Sequence, residues 1–97
     1  MAGNVMSFVD AIDLVANLGL GPDEGVCIEM GRSGDNRQTW DRRNPESVEI
    51  ARAWFNDCRA RGMTIFAVNS KGEKGPQVTE FDSNAEAYIA QPRPVGG

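Results

Sequence analysis

Apolar side chains at Phe8, Ala11, Ile12, Val15 and Leu18 recur at the i, i+3, i+4, i+7 spacing of a single helix face. Ser7, three residues before Asp10, supplies a capping-box start with a short acid. The spacing predicts a first helix over 8–18. Gly19 and Gly21-Pro22 end it, because glycine suits a left-handed cap and proline cannot continue the hydrogen-bond ladder. Val26-Cys27-Ile28-Glu29-Met30, bounded by Gly25 and Gly31, is too short for a helix and rich in β-favouring residues, so it reads as a strand.

Residues 31–38 carry turn formers and no apolar side chain, which predicts a hairpin-like loop leading into a weak strand around Thr39-Trp40. A second helix is predicted over 45–61. Asn44 is a good N-cap, Pro45 suits the first helical position, and Glu46 and Glu49 complement the positive end of the dipole. Its apolar stripe is Val48, Ala51, Trp54, Phe55 and Cys58, and Gly62 closes it.

Residues 63–69 and 77–81 are β-favouring segments on either side of a glycine-rich turn at 70–76, and they should pair as an antiparallel hairpin. After a turn at Asp82-Ser83-Asn84, residues 85–87 read as a single helical turn and Tyr88-Ile89-Ala90 as a last strand. The order α-β-β-α-β-β-β predicts an α+β fold: a small antiparallel or mixed sheet, one main helix packed on it, and an additional N-terminal helix. Residues 1–97 form a single domain, with 92–97 as an extended tail.

Composition narrows the functional classes. No apolar run approaches the ~20 residues that span a bilayer, and Met1–Val5 lacks the basic start and apolar stretch of a signal peptide. A soluble protein of the cytoplasm is expected, with Cys27 and Cys58 as structural thiols. The net charge of −4 argues against nucleic acid as a partner. Charge is uneven, however: residues 1–30 hold five acids and no base, whereas 31–61 hold seven arginines against five acids. Arg32, Arg37, Arg42 and Arg43, with Trp40 among them, are therefore the candidate contact residues for an anionic or protein partner. The reading that ranks ahead of this is a solvated face that balances the acidic N-terminus, with Trp40 in the core.

Without histidine, neither a Ser-His-Asp nor a Cys-His arrangement is available within the chain, and two cysteines about thirty residues apart do not have zinc-ligand spacing. Asp82 and Glu86, at i, i+4 on a polar turn, read as solvated carboxylates. Lys71-Gly72-Glu73-Lys74-Gly75 has the composition of a phosphate loop but lacks the Walker spacing and lies between two strands, so it reads as a hairpin turn. No catalytic residue, metal or cofactor is expected.

The C-terminal stretch Tyr88-Ile89-Ala90-Gln91-Pro92-Arg93-Pro94-Val95-Gly96-Gly97 runs from a strand through two prolines to a diglycine. Here the chain resembles ubiquitin-like modifiers and bacterial sulfur carriers. That resemblance implies an adenylating enzyme as partner and Gly96 and Gly97 as the conjugation terminus, threaded through a channel too narrow for any Cβ. The helix at 8–18 and the prolines depart from the pattern. In general texture the chain also resembles small accessory proteins of bacteria and phages, such as virion components or inhibitors of host defence. That implies a binding or assembly module, with another protein or a second copy as partner, in the cytoplasm or in a virion. The binding module ranks first and the modifier second.

Overall fold

In the computed structural model, residues 8–31, 34–69, 71 and 73–92 are described. The order is α1 (Phe8–Asn17), β1 (Glu24–Gly31), β2 (Gly34–Asp41), α2 (Pro45–Ala60), β3 (Thr64–Val68), β4 (Lys74–Val78) and β5 (Ala87–Gln91). The class is α+β with a mixed sheet of strand order β2-β1-β5-β3-β4. β1 and β5 are parallel at the centre, and every other pairing is antiparallel, including the expected β3–β4 hairpin.

The sheet lies between the two helices, which explains why its central strands are apolar without alternation. On one face Val26, Ile28 and Met30 of β1, Ala87 and Ile89 of β5 and Val68 of β3 pack with Ala11 and Val15 of α1. On the other, Cys27, Tyr88, Ala90, Ile65 and Trp40 meet Ala51, Phe55 and Cys58 of α2. The second face is centred on aromatic rings. Phe81 enters from the β4–β5 loop with its centroid 5.0 Å from Trp40, 5.8 Å from Phe55 and 5.7 Å from Tyr88.

Both termini of α2 follow from its sequence. The Asn44 side chain accepts hydrogen bonds from the N–H groups of Glu46 and Ser47 at 3.0 and 3.3 Å. At the far end Gly62 takes φ +85°. Its N–H donates to Arg59 O at 2.9 Å and that of Met63 donates to Cys58 O at 3.0 Å, the two bonds of a Schellman cap. The proposed cap Ser7 lies outside the described residues.

Four expectations are corrected. Residues 34–38 belong to β2, not to a loop, because an edge strand tolerates polar residues once its ladder is formed along the whole of β1, from Glu24↔Asp41 to Gly31↔Gly34. β4 is Lys74–Val78 rather than 77–81, since Gly75 allows a close approach where a Cβ would stand 2.9 Å from Ala67 O. Residues 85–87 form no helical turn: Ala85 N–H closes a tight turn onto Asp82 O at 3.0 Å, and β5 begins at Ala87. On α2, Ala51, Phe55 and Cys58 are fully buried, but Trp54 and Val48 are only partly so.

Candidate binding surface

Of the arginines expected to form one basic cluster, Arg42 and Arg43 are engaged within the fold. Arg42 is drawn inward. Its N–H donates to Asp23 O at 2.7 Å, and its guanidinium donates to the carbonyls of Ser83, Pro22, Asn84 and Ala85 at 2.5, 3.0, 3.3 and 2.6 Å. One side chain thereby fastens the α1–β1 loop to the β4–β5 loop, a task suited to the rigid fork of arginine. Arg43 pairs with Asp41 at 3.1 Å and with Asp23 at 3.5 Å. The hydrogen bond from Arg43 lowers the carboxyl pKa of Asp41, and the same bond raises that of Arg43.

Trp40 is corrected from a contact candidate to a core residue. Its ring is 2% exposed and its indole N–H donates to Ser83 O at 3.1 Å. Arg37 is exposed on β2, whereas Arg32 and the diglycine Gly96-Gly97 lie outside the described residues.

Other groups with chemical potential are also held in place. Arg61 forms a bidentate pair with Glu29 at 3.0 and 3.1 Å, a bond to Asp57 at 3.0 Å and a contact of 3.3 Å to the Cys58 sulfur. Burial, with the Glu29 charge second, pushes the Cys58 thiol up to about 11. Burial likewise raises Cys27, so both thiols are protonated at neutral pH. The Tyr88 hydroxyl accepts from Asp82 N at 2.8 Å and donates to Asp82 O at 3.2 Å. An open cleft of about 790 Å³ at the end of the sheet is lined by Pro22, Asp23, Arg42, Asn69, Glu73 and Glu86 among others. Its Asn69 side chain donates to Glu73 at 2.6 Å, and Asn69 Oδ1 accepts the backbone N–H groups of Lys71 and Glu73, which builds the β3–β4 turn.

No protein-family model, curated protein or solved structure matches the chain. Its surface therefore has to be read on its own geometry.

One presented surface lies along the flank of α2 that neighbours β2. Ser47 ties the first turn of α2 to the end of β2, accepting from Asp41 N at 2.9 Å and contacting Asp41 O at 3.1 Å. Arg61 ties the last turn of the same flank to β1 through Glu29. Arg52, on the opposite flank, sits 5.4 Å above the Phe81 ring. Helical spacing places Ile50 and Trp54 on the β2 flank with Ser47 and Arg61. Ile50 is 53% exposed, the one large exposed aliphatic among the described residues. Sequence reasoning passed over it, although an isoleucine off the 48, 51, 54, 55, 58 stripe is a legible signal.

Proposed function

We propose that the chain is a non-enzymatic protein-binding or assembly module, an accessory protein of bacterial or phage type that works through surface contacts in the cytoplasm or in a virion. The observation that carries this reading is Ile50, presented beside half-buried Trp54 on the helix flank next to the edge strand β2. An aliphatic and an aromatic side chain that the monomer leaves partly uncovered are the kind of anchor that protein interfaces use. A photocrosslinking amino acid at Ala53, introduced in the native host, tests it. Crosslinks to a defined partner that vanish with Ile50→Asp support the module; crosslinks indifferent to that substitution refute it.

A second reading, a ubiquitin-like modifier or sulfur carrier activated at Gly97, is favoured by the way β5 leads into the tail. The element order from the β1–β2 hairpin through α2 to β5 accords with that resemblance, and β5 is a central strand that passes directly to Pro92. Incubation with ATP and a lysate of the native host, followed by mass spectrometry, should then reveal an adenylate, a thiocarboxylate or an isopeptide at Gly97. Deleting Gly96-Gly97 should abolish that product and leave the fold intact. Full activity of the deleted form, with no adduct, would exclude the modifier.

A further inference from the structure

The two edges of the sheet are unlike. β4 is five residues long and contains Pro76, which has no N–H to offer, and its pairing with β3 shifts register between Phe66 and Val68. These are features that blunt an edge against further pairing. β2 is eight residues long, contains no proline and holds an unbroken register with β1. Among the described residues no strand pairs with its outer side. In an antiparallel ladder half of its residues direct N–H and C=O away from β1; those of Asp41 are engaged by Ser47, and ahead of Asp41 the edge presents donors and acceptors that an extended backbone matches.

The flank of α2 above that edge has a pattern of its own. Glu46, Ile50, Trp54 and Asp57 are spaced i, i+4, i+8, i+11 and form one stripe, with apolar side chains at the centre and a carboxylate at each end. Glu46 and Asp57 are both exposed, and Asp57 shares its charge with Arg61.

We infer that β2 and the adjoining flank of α2 form a strand-addition site for an extended segment of a partner protein, with apolar side chains at alternating positions and basic residues at its ends. The inference rests on the protein-binding reading and names its partner class. The backbone row supplies affinity without sequence preference. Side chains at every second position of the incoming strand face α2, where Ile50 and Trp54 select apolar groups and Glu46 and Asp57 select cations. A second copy is the poorer occupant. Antiparallel pairing of two β2 edges lays two α2 helices side by side in opposite directions, bringing Glu46 of each near Asp57 of the other in chains that each carry −4.

The test is selection from a displayed library of random dodecapeptides against the full chain, with Ile50→Asp in parallel. Ile50 makes little of the core, so the variant should keep the wild-type circular dichroism and melting temperature. Enriched peptides should alternate apolar residues between terminal Lys or Arg, bind Ile50→Asp at least about tenfold more weakly, and perturb the backbone amides of 37–41 and the Trp54 indole. N-methylation of a backbone nitrogen that faces β2 should remove binding. Peptides whose amide perturbations fall on the α1 face would overturn the strand-addition site while leaving the binding module standing. Enrichment that is equal on Ile50→Asp, peptides that survive N-methylation, or a peptide-free dimer with protected β2 amides would each overturn it as well.

Discussion

Gly25→Ala tests the packing on the α2 face at a single atom. Gly25 pairs with Trp40 across the β1–β2 ladder, and the indole lies flat over the bare glycine. A Cβ there would stand 2.2 Å from Cζ2, 2.4 Å from Cε2 and 2.6 Å from Cη2 of Trp40. Carbon atoms are comfortable at about 3.5–4.0 Å, so the ring has to recede by roughly an ångström or more. It has nowhere to go. Phe81 lies edge-on at 5.0 Å, Tyr88 stacks at 6.2 Å, and the indole N–H is fixed to Ser83 O at 3.1 Å. Overpacking costs about 1–3 kcal/mol, and losing the indole bond adds about 1 kcal/mol. Alanine returns about 0.4–1 kcal/mol by stiffening the unfolded chain. A net loss of about 2–3 kcal/mol is expected, read as a fall in urea midpoint at constant slope. The double variant with Trp40→Leu isolates the clash. Trp40→Leu alone leaves a cavity, but the alanine then has space, so the two losses should fall short of additive by about 1–3 kcal/mol. Strict additivity, or a Gly25→Ala protein as stable as wild type, would refute the close approach.

Arg42→Ala should destabilise by about 2 kcal/mol and speed hydrogen exchange of the backbone N–H groups of residues 42 and 85, which donate to Asp23 O and Asp82 O. Arg42→Lys should recover only part of this, because an ammonium cannot span four carbonyls. Phe55→Ala should cost about 3–5 kcal/mol by chemical denaturation, and Trp54→Ala clearly less, since only the former is fully enclosed; equal losses would mean the α2 stripe is misassigned. The raised Cys58 thiol makes stability alkali-sensitive. Above its ordinary 9.0 the unfolded chain sheds the proton while the folded chain keeps it up to about 11, so the urea midpoint should fall as pH rises through this window and fall less in Cys58→Ala. Arg43→Ala should let the Asp41 carboxyl titrate at a higher pH by NMR; an unmoved titration would show that Arg43 is not what lowers it.

The helices are legible because their signals are local. The Asn44 cap, Pro45 and Gly62 fix α2 within a residue of its bounds, and the period of Ala11, Val15 and Leu18 marks α1. β2 is legible only at Trp40, because Gly34 to Gln38 are held in a strand by a ladder to β1 and carry no apolar alternation of their own. Phe81 misleads for a similar reason: a buried aromatic on a loop resembles a strand residue when only neighbours in sequence are considered. Arg42 departs from its expected place as a contact residue on the same ground. Spacing in sequence shows four cations close together, but the carbonyls that claim Arg42 come from residues 22 and 83–85, remote along the chain. Ile50 gives the opposite case, its exposure being implied by its angle on the helix.

The central position of β5 has a mechanical consequence. β1 and β3 do not touch as paired strands; each is joined to the other only through β5. Tension applied beyond Gln91 and resisted ahead of Glu24 pulls two parallel neighbours past one another, so all the bonds of the β1–β5 seam are strained together. Tension across β2 or β4 instead peels an edge, and its bonds break in succession. The molecule should therefore resist a pull along β5 far better than a pull on either hairpin. Once that seam yields, both halves of the sheet lose their common support in the same event.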